Sequence, residues 1–173
     1  LDFIVTCFVS KGEEVVFSQH AFAIYGLVTT IQGGVCSVVP AKNYGHDLDA
    51  MAAAITAKTR LVFVTNPNNP TGTWLTHTDV SDFMAKVPSD VVVVLDEAYF
   101  EYVNEPDYCD GLILLSEYPN LVITRTFSKA YGLASLRVGY GVSAPEVADL
   151  MNRVRPPFNV NSFALAAAVA TLN

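Results

Sequence analysis

The chain has 173 residues, 51% of them hydrophobic and 16% charged, a balance that excludes a disordered tail and suits one domain with a sizeable core. Ten glycines and three cysteines exclude a collagen-like or disulfide-framework protein. Ten basic against 17 acidic residues give a net charge of -7 with no basic stripe, which disfavours nucleic acid as a partner.

Apolar runs then alternate with amphipathic ones. Leu1 lies inside a stretch that reads as helix. Glu14–Ser18 reads as the first strand, Phe22–Gln32 as a helix and Val35–Pro40 as the second strand. Asp47 is a suitable N-cap for a helix over Leu48–Lys58, which carries Leu48, Met51, Ala52 and Ile55 on one face. Leu61–Asn66 is the third strand. Thr76-His77-Thr78-Asp79 resembles a capping box, with Asp for the usual Glu or Gln, ahead of a helix to Lys86. Val91–Asp96 is apolar at every position up to its final acid, the pattern of a central parallel strand covered on both faces. Leu121–Thr126 and Val138–Ser143 follow, the second after a link too short for a crossover. Pro145-Glu146 opens another helix, and Asn161–Leu172 is the last.

Strand and helix alternating β-α-β-α-β-α-β-α-β predicts an α/β fold, a mostly parallel, doubly wound sheet with one antiparallel strand. Cys7, Cys36 and Cys109 show no CxxC or Cys/His metal spacing, so no metal site is predicted and reduced thiols in a cytoplasmic protein are expected. Phe163–Leu172, the longest apolar stretch, is too short to span a bilayer, and no signal peptide pattern is visible. Both ends of the chain read as cut, so a piece of a longer protein is expected.

In a sheet of this kind ligands sit beyond the carboxyl ends of the strands. There the third strand gives way to Asn66-Pro67-Asn68-Asn69-Pro70-Thr71-Gly72, which suits an ordinary turn or a rigid display of amides. The fourth ends in Asp96-Glu97-Ala98-Tyr99. Asp96 is either a helix N-cap or a desolvated carboxylate facing a cationic ligand group. The fifth ends in Thr126-Phe127-Ser128-Lys129-Ala130-Tyr131-Gly132, with Arg137 eight residues beyond Lys129. Desolvation and a nearby arginine would make Lys129 a Schiff-base lysine; the alternative is a solvated surface lysine. After the first strand, Phe22 and Tyr25 are either helix packing or an aromatic wall. His20, His46 and His77 are scattered and take core or surface places, and Glu97 and Glu101 take structural or solvated ones.

One cofactor uses the whole set. Pyridoxal phosphate needs a lysine for its aldehyde, a carboxylate at its ring nitrogen, donors at its ring oxygen, hydroxyls and a guanidinium at its phosphate, and an aromatic face. Lys129, Asp96, Asn69, Tyr99, Thr126, Ser128, Arg137 and Phe22 supply these parts.

These residues resemble the fold-type-I pyridoxal-phosphate aminotransferases, over about Phe3 to the last residue. Ser18-Gln19-His20-Ala21-Phe22 with Tyr25, Asn66–Trp74, Arg125–Leu133 and Arg137-Val138-Gly139-Tyr140 carry the resemblance. Asp96–Tyr102 and Arg155–Asn161 are most similar to the histidinol-phosphate aminotransferases. The resemblance implies that 1–173 is the cofactor-binding large domain, truncated at both ends and without its small domain. It implies Lys129 as the lysine that binds the cofactor and shuttles a proton, Asp96 as the partner of the ring nitrogen, and Asn69 and Tyr99 as donors to the ring oxygen. Thr126, Ser128 and Arg137 are implied as phosphate ligands and Phe22 as the ring that stacks. It further implies a cytoplasmic homodimer moving an amino group between an amino donor and a 2-oxo acid, in histidine biosynthesis. Aromatic amino acids are the runner-up substrates, with Trp74 and Tyr25 as possible pocket walls. A decarboxylase of an amino-acid phosphate and a non-catalytic scaffold stand as alternatives. A nicotinamide site is disfavoured, since Gly139-Tyr140-Gly141 follows the wrong strand.

Overall fold

The computed structural model describes residues 1–172. Six strands form one sheet: β1 (Glu14–Ser18), β2 (Val35–Val39), β3 (Thr59–Thr65), β4 (Val92–Asp96), β5 (Leu121–Thr126) and β6 (Gly139–Ser143). Their order across the sheet is β2-β1-β3-β4-β5-β6. The first five are parallel and β6 runs antiparallel to β5, as the alternation and the short last link predict. The order reverses between β1 and β3, since the chain runs outward to β2 and then back across the sheet.

The helices are α1 (Asp2–Phe8), α2 (Ile24–Ile31), α3 (Leu48–Ala53), α4 (His77–Met84), α5 (Pro145–Val154) and α6 (Ser162–Leu172). Strand residues alternate between two cores, as a period of two requires. Val16, Val62, Val64, Val93, Leu95, Leu121 and Ile123 pack with Met51 of α3 and with Val80, Phe83 and Met84 of α4. Val15, Phe17, Leu61, Phe63, Val92, Val94 and Val122 pack with Ile4 and Val5 of α1, Tyr25 of α2 and Met151 of α5. A smaller cluster seats Ala164 and Ala168 of α6 on Phe127 and Val138.

The predicted caps form. Asp47 accepts a hydrogen bond from the Ala50 N–H, Thr76 and Asp79 complete the capping box, and Pro145 opens α5. Two elements depart from the sequence reading. α3 stops at Ala53 rather than Lys58, because Thr56 turns its backbone N–H to the Thr59 hydroxyl and its own hydroxyl to Glu14. Between β4 and β5 the alternation calls for a helix. Among the described residues only two 3-10 turns stand there, Phe100–Tyr102 and Gly111–Leu114. Gly111 packs so close to the sheet that a Cβ there would come within 2.7 Å of the Leu95 side chain and 3.1 Å of the Ile123 side chain.

Candidate active site

The predicted residues gather at the carboxyl ends of β1, β3, β4 and β5, in three groups. The first is centred on Asp96, which is 6% exposed. Its Oδ2 accepts a hydrogen bond from the Tyr25 hydroxyl at 2.7 Å and its Oδ1 one from the Thr124 hydroxyl at 3.0 Å. Since Tyr25 gives its single proton to Asp96, its oxygen accepts from Thr65, at 2.7 Å. The Tyr25 ring stacks on Phe63 with centroids 4.2 Å apart and meets Phe22 edge to face. Thr65 is held in turn through its main chain, against Nε2 of the buried His46. Burial pushes the Asp96 carboxyl above its ordinary range, while the two hydroxyl donors pull it down. Burial likewise holds Tyr25 far above the usual phenol value, so it remains a donor.

The second group joins the β3 and β4 loops to Lys129. The Asn69 amide donates to the Tyr99 hydroxyl at 3.4 Å, and the Lys129 ammonium stands 5.1 Å from the centre of the Tyr99 ring. An open cleft of about 440 Å³ runs outward from Asn69 and Tyr99 past Trp74 and Tyr102. In the third group the Ser128 N–H donates to the Thr126 hydroxyl at 3.1 Å, and Arg137 donates to the Ser128 hydroxyl at 3.3 Å. Arg137 takes a left-handed backbone conformation with φ of 56°, and its guanidinium also reaches the Ala134 carbonyl.

The sequence leaves Lys129 either desolvated or solvated, and among the described residues its side chain is exposed, on the loop that follows β5. One expectation is corrected: Tyr25 is no pocket wall, because it lies wholly buried, edge to face with Phe22, and hydrogen-bonds to Asp96. Phe22 itself is half open, as a face-presenting ring would be.

Sequence reasoning missed the partners of Asp96. Thr124 sits two residues before Thr126 and so on the same strand face, and Tyr25 is one helical turn past Phe22; those spacings were the available signal. It also missed a buried ion cluster behind the site, Glu97–Arg125–Asp110. Among the described residues no group of three or more His, Cys, Asp or Glu side chains is arranged to hold a metal ion.

The fold is an α/β scaffold with its candidate site at the carboxyl ends of a mostly parallel sheet. The chain belongs to the family of class I and II aminotransferases, whose model matches residues 1–173. Among curated proteins it is 59% identical over 172 residues to histidinol-phosphate aminotransferase 1 of Nitrosococcus oceani and 58% identical to histidinol-phosphate aminotransferase 2 of Pseudomonas fluorescens. Each alignment covers 99% of this chain and 46% of the relative, so the chain spans about half the length of the curated relatives it matches. Among solved structures, histidinol-phosphate aminotransferase from Sinorhizobium meliloti, in complex with pyridoxal-5'-phosphate, superposes with a TM-score of 0.93 at 35% identity, over 99% of this chain and 47% of that one.

Proposed function

We propose that the protein is a pyridoxal-phosphate-dependent aminotransferase that moves an amino group between histidinol phosphate and 2-oxoglutarate in histidine biosynthesis, and that residues 1–173 form its cofactor-binding large domain. The observation that carries the chemistry is the placing of a buried, doubly hydrogen-bonded Asp96 at the end of β4 and of Lys129 and the Ser128–Arg137 pair just beyond the end of the adjacent β5. The substrate choice rests on the identity of 59% to a histidinol-phosphate aminotransferase.

The residues fit the cofactor. Asp96 makes no salt bridge among the described residues, yet it is buried with two donors turned to its oxygens. A protonated ring nitrogen is the cation such a carboxylate requires to stay ionised. Asn69 and Tyr99 offer an amide and a phenol side by side for a ring oxygen. Thr126, Ser128 and Arg137 offer two hydroxyls and a guanidinium, the donors a phosphate takes. Phe22 offers a ring face above the Tyr25–Asp96 pair.

Pyridoxal phosphate supplies an aldehyde that reacts with amines and a ring that takes up the electron pair released at a substrate's Cα. Asp96 keeps the ring nitrogen protonated, and Tyr25 and Thr124 keep Asp96 aimed. Lys129 holds the cofactor when no substrate is present. With an amino donor bound, the Lys129 amine would be the base that takes up the proton from the donor's Cα and gives it back. Thr126, Ser128 and Arg137 anchor the phosphate, which fixes the pivot about which the reacting atoms turn.

The protein acts as a homodimer in the cytoplasm, on this reading. Three free cysteines support the location. Exposed Leu27 and Ile31 on α2 and Phe163 and Val169 on α6 support further packing partners.

An amino-transfer assay tests the proposal. With histidinol phosphate and 2-oxoglutarate, stoichiometric glutamate and keto product are expected. Equal or better turnover of phenylalanine or tyrosine moves the substrate to the aromatic amino acids, release of carbon dioxide from an amino-acid phosphate makes the protein a decarboxylase, and the lack of any turnover favours a scaffold.

A further inference from the structure

The end of the sheet between β4 and β5 is held on both faces. Strand alternation puts Asp96 and Thr124 on the side of Val94 and Val122, and Glu97 and Arg125 on the side of Leu95 and Ile123. The β4–β5 register ends at Asp96 opposite Thr124, and the Glu97 N–H closes it on the Thr124 carbonyl at 2.8 Å. Beyond that rung the two segments part. The first folds into the 100–102 turn, the second into a loop whose Phe127 N–H bonds to Val138. Among the described residues no backbone hydrogen bond joins residues 98–105 to residues 125–133.

Side chains bridge the gap instead. Nε and Nη2 of Arg125 donate to Oε2 of Glu97 at 2.8 and 2.7 Å, and Nη2 also donates to Oδ1 of Asp110 at 2.8 Å. Oε1 of Glu97 accepts the Gly111 N–H at 2.8 Å. The Phe100 ring lies against the guanidinium, 3.6 Å from Cζ to the ring centre. Glu97 is fully buried and the Arg125 side chain is 8% exposed. Phe100 follows Tyr99 directly and Arg125 precedes Thr126 directly, so each end of the bridge is one residue from the site.

Burial of the Glu97 carboxyl pushes its pKa up to about 7, against the pull of the Gly111 N–H and Arg125. A buried pair of this kind is weak evidence for stability, since apolar side chains would fill the same space with less desolvation cost. What a guanidinium adds is geometry: its planar fork fixes direction as well as distance. We propose that Arg125, gripped by Glu97 and Asp110 and covered by Phe100, is a positioning clamp that sets the Asp96–Tyr99 segment against the Ser128–Lys129 segment. This rests on reading those segments as the cofactor site.

The test uses the protein loaded with pyridoxal phosphate and the variants R125K, E97Q and D110N, beside K129A. Three quantities are read: the pH midpoint of the cofactor's visible absorbance, the cofactor dissociation constant, and kcat and KM per loaded site. R125K is expected to move the midpoint by about half a unit or more. It is expected to lower kcat about tenfold with KM for the amino donor held within about twofold, since a misplacement of a full ångström costs about a hundredfold. D110N, which leaves the Glu97–Arg125 pair in place, should move the same quantities in the same direction by less, and E97Q by an intermediate amount. If R125K does not fold, E97Q and D110N carry the same test. Variants that melt at lower temperature yet keep the midpoint, the affinity and kcat per loaded site make the cluster merely structural and overturn the proposal. An unsubstituted protein without a Lys129-dependent band overturns the site reading, and the clamp with it. A normal band with unmoved variants overturns the clamp alone.

Discussion

Asp96 and Lys129 stand at the ends of neighbouring strands, yet their surroundings differ. Asp96 is 6% exposed, takes one hydroxyl on each oxygen, and is backed by a stacked Tyr25–Phe63 pair. Lys129 is exposed on a loop, with the Tyr99 ring 5.1 Å away. On the proposed function, a carboxylate that is to stabilise a charge is best fixed in advance in a water-poor place, and Asp96 is so placed. The buried half of the site belongs to the sheet; the exposed half belongs to the loop.

Removing the charge at the buried half should have the largest effect. Asp96→Asn is expected to lower kcat by about 10²–10³-fold, the usual scale for one preorganised electrostatic contact. The same change should help the protein when no cofactor is bound. Burial raises the Asp96 pKa, so the folded state keeps a proton that the unfolded chain releases. That contribution to stability is therefore lost as pH rises from the ordinary carboxylate value through the raised one. Cofactor-free Asp96→Asn should melt above the parent near pH 7 and lose that advantage near pH 4, which thermal unfolding at the two pH values checks.

A smaller effect is expected on the open half. Arg137 is exposed and donates to Ser128, so Arg137→Ala should weaken cofactor binding by about tenfold or more, as loss of one charge-assisted hydrogen bond would. Because the pair faces water, the loss should shrink at high salt, which a titration at two ionic strengths reads. If Asp96→Asn proves the more salt-sensitive of the two, the contrast between the halves fails. The smallest effect belongs away from both. Thr76→Ala removes a capping box and should cost about 1 kcal/mol of stability in denaturant unfolding, with cofactor affinity unchanged.

Most of the sheet was legible because its strands are short, β-branched and bounded by turn residues. Val92–Asp96 announces a central strand by having no polar face, and Asp47, Thr76 and Pro145 mark helix starts by their own chemistry. The segment between β4 and β5 was not legible. Its packing depends on how closely Gly111 approaches Leu95 and Ile123, a tertiary fact with no local signature. The candidate site residues could be proposed from strand ends: Asp96 and Thr126 close β4 and β5, and Phe22, Asn69, Tyr99, Ser128 and Lys129 follow within four residues of a strand. Their supports could not: Tyr25 reaches Asp96 across 71 positions of sequence, and Arg125 reaches Glu97 across 28. The sequence leaves the exposure of Lys129 open between desolvated and solvated, since nothing in its neighbours' identities fixes which way a loop turns.

The central claim is that Lys129 holds pyridoxal phosphate beside Asp96. It is tested most directly by the visible absorption spectrum of the protein after adding the cofactor and removing the excess, with borohydride trapping, beside Lys129→Ala. The expected result is a trappable band in the parent and none in the variant. A band of equal strength in both, or a trapped cofactor on another lysine, would contradict it.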